Sequence, residues 1–423
     1  MGKILKNHYS IAIVIHIFVV LFLYLLLYKF GIITHLPDNK KILAWDAFWY
    51  HDIAFNGYKY KENAICNLAF FPLFPVLWKL LSVDALAISA INFLIFLISF
   101  FALFKALKIR NDLLLILIST PSLIFCALPY SEALFFFSNV LIIIGLIRGD
   151  RCVQFFGFFL VAFSRSVSII LIPSIIVVEI LLFKPGTSIK SIFKSIALNI
   201  SACLLGLLTT VMIQFFATGK WFYFIEVQKY WQRNWQLPSF PFTTIDPERI
   251  LGLDSTAFMF GFFAICITFA FLLVRLKVLK TDYFESKRGI LRAALISLMY
   301  LSATTILDVF FTYDSNDKTN IWSINRHIFA TPYYMFVVYW LASREMSLKK
   351  ISIFILPAFV SGIFITGVFV ETNPLIYYLV FGIGTILFVL SGKHHVYSYG
   401  LYILNTFMQV FLFHDFLIYK WIG

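Results

Sequence analysis

Residues 9–36 read YSIAIVIHIFVVLFLYLLLYKFGIITHL and carry one charged side chain, Lys29. A helix needs about 20 apolar residues to cross the hydrocarbon core of a bilayer, and this run is long enough. Lys3 and Lys6 precede it, as basic residues do in a secretory signal peptide. However, the run is too long for the apolar part of a signal peptide, and no small-residue cleavage pattern follows it. We therefore predict a first transmembrane helix that is retained.

The composition of the whole chain extends this prediction. Of the 423 residues, 61% are hydrophobic and 13% are charged, and Phe alone accounts for 51. Soluble domains are about half apolar and about one quarter charged. A soluble fold cannot bury this much apolar surface, whereas lipid tails can solvate it. The composition therefore excludes a soluble globular protein.

About thirteen apolar segments qualify as membrane crossings. They are continuously apolar, whereas the strands of a membrane barrel alternate between apolar and polar residues. The predicted fold class is therefore an all-α polytopic membrane protein, with 1–423 as a single transmembrane domain. The predicted crossings are 9–34, 86–106, 112–129, 132–148, 152–164, 166–183, 195–217, 254–276, 289–311, 327–343, 351–370, 374–391 and 397–418.

Two long apolar stretches are each divided into two crossings. Residues 112–148 would be about 55 Å long as one helix, and Pro121 and Pro129 interrupt them. Residues 152–183 contain the sequence SRS at 164–166 in their middle. An undivided second stretch would reverse the orientation of every later crossing, so the charge distribution tests the division.

The charge distribution favours both divisions. With the N-terminus in the cytoplasm, the segments on the inner side hold 20 of the 34 basic residues but only six of the 21 acidic residues. Such an excess of Lys and Arg is typical of cytoplasmic loops. The formal charge of +13 is then explained by topology and by contact with anionic membrane lipid. We expect no nucleic-acid partner.

Three segments on the predicted non-cytoplasmic side are long: 35–85, 218–253 and 312–326. The inner loops are short, so we expect the functional site on the outer face. In a bacterium this would be the outward face of the inner membrane, and in a eukaryote the lumenal side of the endoplasmic reticulum.

The first outer segment carries acids among aromatic rings. Residues 45–60 read WDAFWYHDIAFNGYKY and include Asp46 and Asp52. A partly desolvated carboxylate suits a general base. Trp and Tyr also collect at bilayer interfaces, so an interfacial belt with incidental acids is the alternative.

A longer pattern includes this segment. Trp45-Asp46, Ile53-Ala54 and Gly57-Tyr58 are followed by AFFPLFP at 69–75. This order resembles the signature of the GPI mannosyltransferase II (PIG-V) family and its bacterial relatives. Further on, PYSEAL at 129–134 and FSRS at 163–166 resemble two later segments of that family. The resemblance covers 45–75 well and 121–170 fairly, and the rest agrees only in hydropathy.

The resemblance implies a GT-C glycosyltransferase fold, with short interfacial helices in the first outer loop. It also implies a polyprenyl-phosphate sugar donor, most often of mannose, and a glycolipid or glycan acceptor. Asp46 is the position that carries over as the catalytic residue. Asp52 falls where the family pattern is variable and ranks second. The short loops favour a bacterial member.

The chemistry of such a donor sets what the site needs. The leaving group is an anionic phosphate, so one base suffices to take the proton of the acceptor hydroxyl, and direct displacement inverts the anomeric carbon. Positive charge is needed where the phosphate departs. Arg165 interrupts two apolar stretches, and an intramembrane charge is costly unless it is paired or functional. Glu132 is its candidate partner, in a substrate site or in a purely structural pair.

Other candidate substrate contacts lie on the outer side. Arg326 and His327 follow the third outer segment and can meet phosphate, or can be interfacial groups. Lys220 and Arg233 alternate with Trp and Tyr residues in the second outer segment, a pattern that suits sugar phosphates but also an amphipathic helix on the membrane. Within the signature itself, Trp45 and Tyr58 complete the candidates.

No metal or other cofactor is expected. Asp46 and Asp52 do not form a D-x-D triad, and the five cysteines are widely spaced without a C-x-x-C pair, which favours small buried hydrophobic roles. Two other classes of function remain open, a lipid or glycolipid flippase and a non-catalytic subunit of a glycan assembly machine.

Overall fold

The structure of the chain is a computed structural model that describes residues 9–183, 188–240, 242, 251–279, 286–315, 318–343 and 395–422. The predicted crossings 351–370 and 374–391 lie outside the described residues. Fifteen α-helices occupy the described part: α1 Tyr9–Lys29, α2 Asp46–Asn56, α3 Leu73–Leu81, α4 Ala85–Leu107, α5 Asn111–Ile118, α6 Glu132–Arg148, α7 Arg151–Ser164, α8 Leu171–Leu181, α9 Ile189–Thr218, α10 Tyr223–Glu226, α11 Leu251–Arg275, α12 Arg288–Phe310, α13 Ile324–Phe329, α14 Pro332–Ala342 and α15 His395–Leu417.

Within these ranges, six helices are long and apolar enough to cross a membrane: α1, α4, α9, α11, α12 and α15. Their outward faces carry large apolar side chains, such as Phe18 at 68% exposure and Phe216 at 78%. Such surface is stable only where lipid replaces water, since an extended apolar patch is unfavourable on a soluble monomer. The all-α polytopic membrane class is thereby confirmed, and the count of about thirteen crossings stays a prediction.

Both predicted breaks are present. The first apolar stretch ends its helix α5 at Ile118, continues as the 3-10 helix Pro121–Cys126 and resumes as α6 at Glu132. The predicted crossing 112–129 is therefore not one continuous helix, because Pro121 has no amide hydrogen to donate to the preceding turn. In the second stretch, α7 ends at Ser164, and Arg165 has an extended backbone.

Glycines allow the helices of the bundle to approach closely. A methyl group at Gly206 of α9 would overlap the carbonyl oxygen of Phe159 on α7, and one at Gly261 of α11 would overlap the Thr305 side chain on α12. Small residues serve this purpose in membrane helices, where backbone proximity replaces a hydrophobic driving force. These contacts hold α9 close to α7 and α11 close to α12.

The predicted outer segments are joined to one another. Strand β1, Arg233–Trp235, pairs antiparallel with β2, Phe311–Ser315, and β2 pairs with β3, Lys318–Thr319. Arg233 lies opposite Tyr313 in this register. The first outer segment contains α2, α3 and two 3-10 helices, Lys41–Leu43 and Asn67–Ala69. The short helices predicted for this segment are therefore present.

Candidate active site

Four charged side chains from distant parts of the sequence form one cluster, which we call the charge cluster. It consists of Asp46, Glu132, Arg165 and Arg326. Arg326 Nη1 lies 2.7 Å from Asp46 Oδ2, and Arg326 Nε also donates to Glu132 Oε1. Arg165 Nη1 donates to the same Glu132 oxygen. Two carboxylates thus face two guanidinium groups, so the cluster is electrically balanced.

Burial differs among the four members of the charge cluster. The side chains of Glu132 and Arg326 are 1% and 5% exposed, whereas those of Arg165 and Asp46 are 16% and 20% exposed. Buried ions are stable only when they are paired and hydrogen-bonded. The deep members therefore hold the cluster together, and Asp46 and Arg165 are the members that a bound molecule can reach most easily.

The turn before α6 positions Glu132. Asn92 of α4 donates its Nδ2 hydrogens to the carbonyl oxygens of Leu128 and Tyr130, at 2.7 and 2.8 Å. The hydroxyl of Tyr50 lies 2.7 Å from the hydroxyl of Ser131. These contacts explain why polar residues occur at the end of an apolar run. Glu132 Oε2 is buried and has no hydrogen-bond partner among the described residues.

Arg326 is held by rings and by its helix. Its guanidinium lies 5.1 Å from the ring centroid of Phe125 and 4.7 Å from that of Tyr130, distances at which cation–π attraction is favourable. The preceding residue, Asn325, donates its side-chain amide to Asp254 of α11 at 2.6 Å. A guanidinium fixed in this way can present its remaining donors in one direction.

Asp46 is the first residue of α2, where the amide groups of the helix start favour a negative charge. The residue before it, Trp45, has φ 55° and ψ −123°. This conformation is sparsely populated for a residue with a side chain and costs on the order of 1–3 kcal/mol. The Asp46–Arg326 ion pair and the packing of the loop offset that cost and fix the direction of the carboxylate.

A second acid–base pair lies beside the charge cluster. His327 Nδ1 is 3.0 Å and 3.1 Å from the two carboxylate oxygens of Asp308 on α12. Both side chains are about nine-tenths buried. The sequence analysis selected His327 but missed Asp308, although an acid inside the predicted crossing 289–311 was a signal, since such residues are rarely incidental.

Arg233 approaches the same region from β1. Burial lowers the pKa of its guanidinium, and the negative charges of Asp308 and Asp46 oppose this effect. The strand that carries Arg233 pairs with β2, which directly follows α12, the helix of Asp308. The second outer segment therefore brings a third cation toward the end of the helix that carries Asp308.

Asp52 and Tyr58 organise the first outer loop instead of joining the charge cluster. Asp52 accepts hydrogen bonds from Asn56 and Asn67, both at 2.9 Å, and from Lys59 at 3.3 Å. Burial raises the pKa of Asp52, but these hydrogen bonds outweigh burial and the net pKa is lowered. Tyr58 donates its hydroxyl to the Phe70 carbonyl at 2.8 Å. A substrate contact by either residue stays a prediction.

Lys220 and Trp45 lie at the edges of the site. The Lys220 ammonium lies 4.5 Å from the ring centroid of Tyr60 and is not in the charge cluster. Trp45 packs edge-on against Trp421 at 5.1 Å, and Trp421 in turn packs against Trp322 at 4.8 Å. This aromatic group joins the segments that carry Asp46 and Arg326.

Among the described residues, no group of three or more His, Cys, Asp or Glu side chains is arranged to hold a metal ion. The cations of the site are side chains, and anionic groups are what such an arrangement can bind. A metal-independent reaction stays a prediction.

Comparisons with known proteins add one finding. No protein family and no curated protein matches the sequence. Among solved structures, the chain is similar to the crystal structure of ArnT from Cupriavidus metallidurans bound to undecaprenyl phosphate. The TM-score is 0.48 and the identity 13%, over 96% of this chain and 77% of that one. A likeness at this level does not assign a fold family, whereas the six long apolar helices do establish an integral membrane protein.

Proposed function

We propose that this protein is a membrane glycosyltransferase of GT-C type. It moves a sugar from a polyprenyl-phosphate donor to a glycolipid or glycan acceptor on the non-cytoplasmic face of its membrane. The observation that carries the proposal is the ion pair between Asp46, a partly exposed carboxylate, and Arg326, a buried guanidinium, at 2.7 Å. The pair joins a candidate base to a candidate phosphate-binding group.

The cations provide the phosphate site. Arg165 and Arg326 share Glu132 Oε1, and a carboxylate shared between two guanidinium groups leaves part of their hydrogen-bonding capacity for another anion. Arginine suits this role because its planar fork of donors matches phosphate oxygens. Glu132 then holds the two arginines in place, which explains an acid that is almost wholly buried.

Asp46 provides the base. Its charge is compensated by Arg326, 2.7 Å away. A donor phosphate competes for Arg326, and the carboxylate is then released toward the acceptor hydroxyl. The acceptor oxygen attacks the anomeric carbon, its proton passes to Asp46, and the bond from the anomeric carbon to the phosphate oxygen breaks. One displacement inverts the anomeric configuration, so a second carboxylate acting as nucleophile is not required.

Mannose as the sugar, and the bacterial inner membrane as the location, rest on the resemblance of residues 45–75 to the PIG-V family. Two parts of this signature have structural roles in the first outer loop. Trp45 and Asp46 lie at the start of α2, and the carbonyl oxygen of Phe70 accepts a hydrogen bond from the Tyr58 hydroxyl. The loop that carries the base is thus built from the residues of the signature.

Transfer assays test the proposal. Membranes containing the wild-type protein are supplied with polyprenyl-phosphate [14C]mannose, and the labelled product is identified. Asp46→Asn is expected to lower transfer by about 10²–10⁴-fold, the usual contribution of a positioned base. Glu62→Gln is the matched control, because it also turns a carboxylate into an amide in the first outer segment, at an exposed position outside the charge cluster. Equal labelling by Asp46→Asn and wild type would remove Asp46 from the mechanism and favour a flippase or a subunit.

A further inference from the structure

The Asp308–His327 pair is not used by the mechanism above, and its geometry is specific. Both Asp308 oxygens lie within 3.1 Å of His327 Nδ1. A carboxylate in this position accepts the Nδ1 proton and fixes the tautomer and orientation of the ring. The other ring nitrogen, Nε2, is therefore the one available to a substrate.

The surroundings of His327 indicate which part of a substrate it meets. His327 directly follows Arg326, whose guanidinium belongs to the charge cluster and lies 2.7 Å from Asp46. The charges of Arg165, another member of that cluster, and of Arg233 also act on the His327 ring. His327 therefore lies beside the cations at which the proposed function binds the donor phosphate.

We infer that His327, positioned by Asp308, is the proton donor to the departing phosphate. This inference rests on the proposed function and extends it from charge compensation to proton transfer. As the bond from the anomeric carbon to the phosphate oxygen breaks, its electron pair stays on that oxygen. The phosphate then takes the proton of His327 Nε2, while the acceptor proton goes to Asp46. The cycle closes when Asp46 gives up its proton and His327 regains one through solvent.

Proton transfer depends on the charge of the bound phosphate. Burial lowers the pKa of the His327 ring, and the negative charge of Asp308 opposes this effect. An anionic phosphate beside the ring favours its charged form, so the ring gains its proton as the donor binds. The donor diester carries one negative charge and the product monoester tends toward two, so the stabilisation by His327 is larger after bond breaking than before it. A difference of this kind accelerates the chemical step.

The pH dependence of turnover tests the inference in the full-length protein. The protonated imidazole is the active form, so turnover of the wild type falls as pH rises through the pKa of His327 in the donor complex. His327→Gln removes this decrease, the high-pH limb of the pH–rate profile, and lowers turnover by about 10²–10⁴-fold. Asp308→Asn keeps the shape of the side chain but removes its negative charge, so the limb moves to lower pH by about 1–3 units. His51→Gln on α2 is the matched control, since its ring packs on Phe55 and Trp78.

A binding measurement separates failure of this inference from failure of the proposed function. Titration calorimetry with polyprenyl phosphate at pH 7.5, in two buffers of different ionisation enthalpy, gives the protons taken up on binding. We expect uptake approaching one proton in the wild type and in His51→Gln, and a large loss of uptake in His327→Gln. Equal uptake in wild type and His327→Gln, or an unshifted limb in Asp308→Asn, overturns the inference alone. No binding by any variant overturns the polyprenyl-phosphate donor and the inference with it.

Discussion

Removing Arg326 is expected to destabilise the protein through charge imbalance in the charge cluster. Arg326→Met keeps much of the side-chain volume between the rings of Phe125 and Tyr130 but leaves Asp46 and Glu132 with one guanidinium, Arg165. Breaking a buried ion pair by removing one partner typically costs about 3–5 kcal/mol. Glu132 is 1% exposed, which favours the upper part of that range, and the 20% exposure of Asp46 makes its share of the cost smaller.

The same argument from charge balance predicts that a second substitution restores part of the lost stability. Asp46→Asn combined with Arg326→Met leaves Glu132 and Arg165, which are paired with each other, so the cluster is again neutral. The double variant should therefore recover more than half of the stability lost by Arg326→Met, while transfer stays abolished because the proposed phosphate site has lost Arg326. Positive coupling of about 0.5–3 kcal/mol is the range measured for residues in one network.

Unfolding in mixed micelles, titrated with sodium dodecyl sulfate and followed by tryptophan fluorescence, measures both effects. Wild type, both single variants and the double variant complete the cycle. A double variant that is as unstable as Arg326→Met, or less stable, would refute charge balance as the source of stability. Unchanged stability of Arg326→Met would show that the pair contributes nothing to folding.

Two further predictions concern positions outside the charge cluster. The pKa of Asp52 is lowered in the folded protein, so its stabilisation is complete above its unfolded value of about 3.9 and is lost as pH falls through the folded value. Asp52→Asn should therefore lower the thermal midpoint at pH 7, with a gap that narrows below about pH 4; a gap independent of pH contradicts this. Gly206→Ala should cost about 1–3 kcal/mol, as overpacking does, because the added methyl overlaps the Phe159 carbonyl. Gly400→Ala, which meets no atom within 4 Å, is the control, and equal shifts in unfolding midpoint would exclude a specific α7–α9 contact.

The fold class was predictable from the sequence, because long apolar helices are stable in lipid and not in water. Apolar runs of the length of a bilayer can be read directly, and so can their interruptions. Pro121 has no amide hydrogen, and the SRS at 164–166 places a charge within an apolar stretch. Both breaks are therefore present where composition predicted them. The two crossings beyond residue 350 lie outside the described part of the chain.

Part of the charge cluster was also predictable. Arg165 needed a partner because an unpaired intramembrane charge is costly, and Glu132 was the acid on the neighbouring turn. The pair is confirmed. Arg326 was a candidate phosphate contact, but its contact with Asp46 was not predictable, because 280 positions separate the two residues in sequence.

The separate roles of Asp46 and Asp52 needed the structure. Six residues along an α-helix correspond to a rotation of about 240° and a rise of about 9 Å, so the two carboxylates point in different directions. The sequence showed only that both lie among aromatic residues. The positive φ of Trp45 also has no sequence signal, since such a backbone arises only where the surrounding fold enforces it.

The sequence separations within the charge cluster imply an order of events during insertion into the membrane. Glu132 and Arg165 are 33 residues apart, so they can meet as soon as α6 and α7 form a hairpin. Arg326 lies 194 residues after Glu132 and arrives only when α12 and α13 have been synthesised. The nascent chain thus carries a neutral Glu132–Arg165 pair before Arg326 is added, and the complete charge cluster, with the proposed phosphate site, forms only after residue 326.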